Sequence, residues 1–224
     1  HQESEQWEIA GDPACPPDVL LWLAENMAEP PYDIFSNPSL PSAAIKHLLI
    51  HTNSYEIDDL MDLPNFLLDK LMDLPNFLPE FYDILVTRSD EHLRASVAAK
   101  APAQYLEKLA EDPAFEVRVA VARNRNTSVK ILLQLLKNRE TQVIQAVLDG
   151  TQHYLLASQR KVADEIWEEI LRIQVNDPVV ERIVAENVPE KFIYKAKEWI
   201  SKENSFHFLK NIFMPKDWVN EFLD

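Results

Sequence analysis

Residues 102–113 read PAQYLEKLAEDP and residues 117–124 read VRVAVARN, and these two phrases decide the fold of the chain. Helix starts at positions 16, 41, 64, 102 and 128 are each followed by apolar residues four, seven and eight positions later, which is the stripe of an amphipathic helix. Most of these starts lie about 25 residues apart. Such a period predicts stacked helical units, each burying its apolar face only against its neighbours.

The second phrase also recurs between these helices. Residues 93–98 (LRASVA) match residues 117–122 (VRVAVA), and residues 143–148 (VIQAVL) match both without the arginine. Asn37 and Asn124 occupy equivalent places just before the next helix start. Each unit is therefore predicted to consist of a short helix, a polar corner and a longer helix.

This pattern resembles the leucine-rich-repeat-variant family and, more loosely, other HEAT-like repeats, over roughly residues 13–150. The resemblance implies an all-α, right-handed superhelical solenoid of short α- or 3₁₀-helices and longer helices. Some family members carry a cysteine-ligated iron–sulfur cluster, but Cys15 is the only cysteine here, so no cofactor is expected. The residues that carry the likeness are Leu106, Leu109, Ala110, Asp112, Pro113, Val117, Arg118, Val121, Ala122, Asn124 and the corner Asn37–Pro41.

The segment LMDLPNFL occurs twice, at residues 60–67 and again at residues 71–78, an offset of 11 residues. Because 11 residues are close to three helical turns, an insertion of this length nearly preserves the apolar face of a helix. Two interpretations remain open: a recent duplication that a modular fold tolerates, or an apolar ridge that docks a partner helix. The ridge would consist of Phe66, Leu67, Phe77 and Leu78.

The repeat fades beyond Gly150, and residues 155–175 read as one longer helix. Trp167, Trp199 and Trp218 are spread over this part of the chain, where a solenoid needs a cap that covers its last apolar face. The predicted organisation is an acidic N-terminal tail over 1–12, a helical repeat solenoid over 13–150 and a C-terminal helical cap over 151–224.

The net charge of −15 is concentrated in the first part of the chain. Residues 1–83 contain 16 acidic residues against Lys46 and Lys70, a net charge of −14, whereas residues 84–224 carry 20 basic and 21 acidic residues. Such an acidic half repels phosphate backbones and anionic membrane surfaces, so nucleic acid and membranes are not expected as partners. The acidity either keeps the fold soluble or attracts a basic protein or peptide.

The stretch 118–139 is positively charged, because it contains six basic residues and no acidic one. Arg123 and Arg125 flank the predicted corner and, together with Lys130, form a candidate site for an anion or an acidic peptide. The alternative is a solvated helix face, which is the commoner role of such a run of charges.

Two histidines, His47 and His51, stand four residues apart on a predicted helix, with carboxylates following at Glu56, Asp58 and Asp59. This spacing can place two imidazoles and a carboxylate on one metal ion. Pairs of histidines at this spacing more often have no metal role, so no metal site is predicted.

Arg118 and Cys15 are given structural roles. Arg118 is expected to pair with Asp112 or with a carboxylate of a neighbouring repeat. Cys15 precedes two prolines and is interpreted as a packing residue at a helix start rather than as a nucleophile.

Together these features predict a non-catalytic scaffold for protein–protein interaction. Only Gly11 and Gly150 are glycines, which excludes the Gly-rich phosphate loops and nucleophile elbows of many enzymes. The single cysteine and the absence of a long apolar run favour a cytoplasmic location. The alternative function is a nucleic-acid- or anion-associated helical repeat protein that uses the basic stretch 118–139.

Overall fold

The regular structure of this chain is helical wherever the structure describes it, which confirms the all-α class predicted from the sequence. The chain divides into two compact units, His1–Val97 and Ala98–Asp224. None of the described helices is long and apolar enough to cross a membrane. The computed structural model describes residues 8–27, 30–51, 63–155, 163–211 and 213–218.

The first unit opens with a helical turn over residues 8–11, in which Ala10 is fully buried. The packed part of this unit therefore includes the end of the segment assigned to the N-terminal tail. The helices that follow are α1 (Pro17–Asn26), a 3₁₀-helix (Tyr32–Ser36), α2 (Ser42–His51), α3 (Leu63–Met72), α4 (Phe81–Leu85) and α5 (Glu91–Lys100).

The described part of the second unit contains α-helices of 4 to 15 residues and several short 3₁₀-helices. Its α-helices are α6 (Ala103–Leu109), α7 (Phe115–Arg123), α8 (Val129–Leu136), α9 (Thr141–Leu155), α10 (Asp164–Ile173), α11 (Pro178–Asn187), α12 (Ile193–Trp199) and α13 (Lys202–Ser205). Its 3₁₀-helices are Glu190–Phe192, Phe206–Lys210 and Lys216–Trp218.

Helices that are two elements apart in sequence pack against each other in both units. In the first unit α1 packs on α2, the 3₁₀-helix Tyr32–Ser36 packs on α3, and α2 packs on α4. In the second unit α7 packs on α9, α8 on α10, and α9 on α11.

The apolar stripes read from the sequence form the core. The residues four, seven and eight positions after each helix start are buried, except Met72 and Leu132, which are half-buried. In α8, Ile131 is buried beside Leu135 and Leu136. Leu109 and Val121, from adjoining helices of one unit, are both buried. These stripes supply the burial of apolar surface that drives folding.

The prediction of a short helix followed by a longer one is wrong between residues 91 and 136. The helices that carry the two arginine-containing copies of the recurring phrase, α5 and α7, are 10 and 9 residues long, whereas α6 and α8 are 7 and 8 residues long. The apolar residues of the phrase do not mark the start of α5. This helix begins at Glu91, before the phrase, because the Asp90 carboxylate accepts hydrogen bonds from the backbone N–H groups of His92 and Leu93. The predicted order holds from Tyr32–Ser36 to α2.

The single helix predicted over residues 155–175 is also wrong. The described part of α9 reaches Leu155, and a separate helix, α10, begins at Asp164 after Ala163, whose backbone (φ −59°, ψ 144°) is not helical. Two acidic residues, Asp164 and Glu165, occupy the first turn of α10, where the helix dipole favours negative charge. A left-handed Gln174, with φ 47°, ends this helix.

The two copies of LMDLPNFL do not share one helical face, contrary to the prediction from their spacing. The first copy enters α3, whereas in the second copy only Leu71 and Met72 are helical, and residues 73–76 form turns. Pro75 disfavours helical backbone at the residue before it, and the backbone N–H of Leu74 bonds the Leu71 carbonyl in a tight turn. The inserted copy therefore ends one helix instead of extending it.

Candidate functional site

The asparagines at the corners of the second unit are buried hydrogen-bonding clamps. The Asn124 side-chain nitrogen donates to the carbonyl oxygens of Ala98 and Ala101, 26 and 23 residues earlier, at 2.7 and 2.9 Å. The Asn211 side-chain nitrogen donates to Ala185 and Val188, again 26 and 23 residues earlier, both at 2.9 Å. In each case the side-chain oxygen accepts the backbone N–H two residues on. One corner therefore repeats along the unit.

The first unit contains a related clamp at Asn37. Its side-chain nitrogen donates to the carbonyls of Ala10 and Asp12 at 2.8 and 2.9 Å, and its oxygen accepts the Ser39 N–H. Asn76, in the second copy of the duplicated segment, donates to the Leu40 carbonyl across 36 residues. That separation exceeds a repeat of about 25 residues by the length of the duplication, so the inserted copy places its asparagine at a corner.

Two arginines, each six residues before a corner position, donate hydrogen bonds to the backbone just before the helix on which they lie. The Nη1 atom of Arg94 donates to the carbonyls of Arg88 and Ser89, and the Nη1 atom of Arg118 donates to those of Asp112 and Pro113. In both cases the acceptors lie six and five residues earlier. The shared arginine is therefore a structural part of the recurring phrase.

Arg118 also pairs with the next repeat. Its Nε and Nη2 atoms bind the two oxygens of Glu140, which lies 22 residues further on, in a bidentate ion pair. The pairing with a neighbouring carboxylate, one of the two partners expected from the sequence, is therefore observed. Asp112 contributes its backbone carbonyl to Arg118, while its carboxylate accepts the Ala114 N–H.

Glu181 takes the position of this arginine in α11, six residues before Asn187. Its buried Oε2 atom accepts hydrogen bonds from the backbone N–H and the hydroxyl of Ser201 and from the side chain of Asn204. Ser201 lies 20 residues further on, at the start of α13. The charge is reversed relative to Arg118, but the residue still fastens its helix to the next corner.

The buried polar residues of the described chain are all engaged in such corners. Every buried side-chain nitrogen and oxygen among the described residues has a hydrogen-bond partner, as is usual for buried polar groups. Thr127, for example, donates its hydroxyl to the Val121 carbonyl beside the Asn124 clamp. These residues are spread one or two to a corner: Asn37, Arg94, Asn124, Thr127, Glu181 and Asn211.

The candidate anion site lies at the surface of the Asn124 corner. Arg123 ends α7 and Arg125 follows the clamp, and both side chains are exposed. Lys130 is exposed on α8, where its Nζ atom lies 2.8 Å from Oε1 of Glu107 and lowers the pKa of that carboxyl. The clamp therefore fixes the backbone between the two arginines, while Lys130 already has a carboxylate partner.

The rest of the basic stretch is partly neutralised by α10. The side chain of Arg172 lowers the pKa of the Glu169 carboxyl, and the charges of Lys137 and Arg139 lower it further. Lys137 and Arg139 are both exposed. Much of the positive charge in residues 118–139 therefore faces carboxylates of the same unit.

The four residues of the predicted apolar ridge fall in two different elements. Leu67 is half-buried on α3, and Leu78 is exposed in the turn after it. Phe77 is half-buried and makes edge-to-face contacts with Phe81 and Tyr82, whose ring centroids lie 5.4 and 5.5 Å away. The Phe66 side chain lies outside the described part of the structure. Binding by this ridge stays a prediction.

The histidine pair and the cysteine lie in the first unit. The rings of His47 and His51 stack with centroids 4.2 Å apart. The carboxylates considered with them, in residues 56–59, lie outside the described residues, and no group of three metal-binding side chains occurs within the described ranges. Cys15 is buried before α1; burial raises the pKa of its thiol, and the charges of Asp12 and Asp18 raise it further.

An open cleft of about 380 Å³ in the first unit is lined by both apolar and hydroxyl side chains. Arg88 lines it, and burial lowers the pKa of the Arg88 guanidinium. The Arg88 backbone carbonyl is one of the acceptors of Arg94, so this wall of the cleft belongs to a corner. The other lining residues are Ile50, Ile84, Thr87 and Ser89.

One exposed aromatic face was missed by the sequence analysis. Trp22 on α1 is 54% exposed, whereas Trp167 and Trp218 are buried. Asp18 and Glu25, on the same helix, are also exposed. The sequence carries the signal, because Trp22 falls outside the apolar stripe that follows position 16 and therefore lies on the opposite face of the helix.

The chain matches no protein-family model, no curated protein and no solved structure.

Proposed function

We propose that this chain is a non-catalytic protein-binding scaffold, whose units are short stacks of helical repeats of the leucine-rich-repeat-variant or HEAT-like kind. The observation that carries the proposal is the use of the buried polar side chains. All six of those described hold corners, one or two at a time, and the Asn124 and Asn211 clamps span the same 26 and 23 residues. Catalytic sites instead gather polar groups in one cleft.

The packing of the helices supports a stacked arrangement within each unit. Several pairs of elements that lie two apart in sequence pack together, and side chains about one repeat apart along the chain are in contact. Glu107 contacts Lys130 and Glu111 contacts Gln134, each across 23 residues, and Glu186 contacts Lys210 across 24 residues. Stacked units offer an extended surface built from many helices, which suits binding of another chain.

The charge of the first unit favours a basic partner. Residues 1–83 carry a net charge of −14, and a field of one sign accelerates encounter with a partner of the opposite sign. A basic protein or peptide would therefore associate faster at low salt than at high salt, because mobile ions screen exposed charges.

Affinity capture followed by direct binding tests this function. The intact chain, immobilised at physiological salt, is expected to retain proteins with basic segments that elute as salt is raised. Each retained protein is then purified and titrated against the chain by calorimetry, which should give saturable binding of fixed stoichiometry. If no retained protein binds the purified chain directly, the scaffold proposal fails.

A second candidate function is binding of an anion or of nucleic acid by the stretch 118–139. Two exposed arginines, Arg123 and Arg125, flanking a clamped corner favour a small anion. The carboxylates of Glu107, Glu140 and Glu169 oppose a long polyanion, because they face basic residues of the same stretch.

A further inference from the structure

Helix α1 buries one face and presents the opposite face to solvent. Leu20, Leu23 and Ala24 are buried, and the helix packs on α2. Trp22 lies on the other side with about half of its surface exposed. A tryptophan buries a large apolar area when it is covered, so a half-exposed indole on a well-packed helix is a strong potential anchor for a partner.

Two carboxylates lie on either side of this indole. Asp18 is four residues before Trp22 and Glu25 is three residues after it, so all three side chains share one face of the helix. Asp18 and Glu25 are exposed, and neither forms an ion pair with any residue that the structure describes. The exposed face of α1 thus offers an aromatic surface between two negative charges.

We propose that the exposed face of α1 docks a basic peptide segment of a partner protein, with a lysine or arginine side chain over the Trp22 indole and between the carboxylates of Asp18 and Glu25. This inference rests on the proposed scaffold function and names its docking face and partner chemistry. A cation over an indole gains from the ring quadrupole, and flanking carboxylates add ion pairs.

The second unit contains the same contact within the chain. The Lys197 Nζ atom lies 4.1 Å from the centroid of the Trp218 ring, which is buried. In the first unit, the lysines and arginines are Lys46, Lys70, Arg88 and Arg94, against 18 acidic residues, and Arg94 is buried. The cation that would cover Trp22 is therefore best supplied by another protein, and the net charge of −14 over residues 1–83 attracts such a segment.

Other occupants fit this face less well. A nucleic acid or an anionic lipid surface would bring phosphates against Asp18 and Glu25, and like charges repel. A purely apolar partner would cover Trp22 but would also remove both carboxylates from water without pairing them, which is costly. A basic segment is the occupant that satisfies all three side chains.

The test uses the intact chain and a synthetic amphipathic peptide of Lys, Leu and Ala, with the same peptide carrying Glu in place of Lys as the probe control. Trp22→Ala is expected to weaken binding of the Lys peptide about fivefold to thirtyfold, the loss of one well-formed cation–π contact. Phe115→Ala removes an exposed aromatic ring from the second unit and should leave the affinity unchanged.

Two double variants that remove the same charge distinguish binding at the exposed face of α1 from a general effect of the negative charge of the first unit. Asp18→Asn with Glu25→Gln should weaken binding and flatten its salt dependence more than Glu80→Gln with Asp83→Asn, which removes the same charge from exposed positions elsewhere in the first unit. All variants should melt within a few degrees of the parent chain, as surface substitutions normally do.

Three outcomes would overturn the inference: no binding of the Lys peptide to the parent chain, undiminished binding by Trp22→Ala, or equal losses in the two charge pairs. The scaffold proposal is judged separately. If proteins captured by the chain bind Trp22→Ala as tightly as the parent, the docking face is wrong while the scaffold function stands.

Discussion

Asn124 shows how a single residue sets the geometry of a corner. Its two N–H groups bond the carbonyls of Ala98 and Ala101, and its oxygen accepts the Asn126 N–H, so one side chain joins two successive corners. No other uncharged side chain of this size supplies both a double donor and an acceptor. At the corner one repeat earlier, Lys100 occupies the position of the asparagine. Asn124 bonds there to the backbone carbonyls of Ala98 and Ala101.

Removal of a corner asparagine is therefore expected to destabilise the fold. Asn124→Ala or Asn211→Ala leaves two buried carbonyls without a donor and should lower the free energy of unfolding by about 1–3 kcal/mol. Asn124→Asp should cost more, because a carboxylate would face both carbonyls. Urea denaturation measures the effect, with Asn138→Ala as the exposed control. Equal stability of Asn124→Ala and Asn138→Ala would refute the clamp.

At the scale of elements, the duplicated segment shows that identical sequences can take different local structures. Leu63 begins α3 in the first copy, and the equivalent Leu74 lies in a turn in the second. The surroundings decide the difference: α3 packs on the 3₁₀-helix Tyr32–Ser36, whereas the second copy contributes Asn76 to a corner and Phe77 to an aromatic cluster. Packing overrides local preference here.

Phe77 and Leu78 should therefore respond differently to truncation. Phe77→Ala removes edge-to-face contacts with the buried rings of Phe81 and Tyr82 and should destabilise the chain by about 1–3 kcal/mol. Leu78→Ala truncates an exposed side chain and should change stability by less than about 1 kcal/mol. Thermal melts compare them. A Phe77→Ala chain that melts like the parent but binds a partner more weakly would favour the apolar ridge instead.

The elements also show which features could be predicted from the sequence. Period and polarity located the buried stripes, such as Leu106 and Leu109, because burial requires apolar residues at helical spacing. The same pattern could not place the start of α5, which depends on the Asp90 cap, or the break before α10. Glu181 in the place of an arginine was also not recognised, because its role depends on Ser201 and Asn204, 20 and 23 residues further on.

At the scale of the whole chain, the charge distribution disfavours long anionic ligands more than short ones. The 16 acidic residues among the first 83 give this part of the chain a net charge of −14, which disfavours a polyanion as ligand. Within that stretch, Arg118 and Lys130 are paired with Glu140 and Glu107. The net charge therefore disfavours a long nucleic acid, whereas a small anion would need only the charges of Arg123 and Arg125.

The chain is accordingly expected to show no retention of duplex or single-stranded DNA at physiological salt, measured by fluorescence anisotropy. Inorganic phosphate or a short acidic peptide is tested separately by calorimetry, because either is short enough to contact the Asn124 corner alone. Any such binding should disappear in Arg123→Glu with Arg125→Glu and persist in Lys130→Ala, since the Lys130 ammonium already pairs with Glu107. Tight, salt-sensitive DNA binding that the double arginine variant abolishes would instead make the basic stretch a nucleic-acid site and would displace the scaffold proposal.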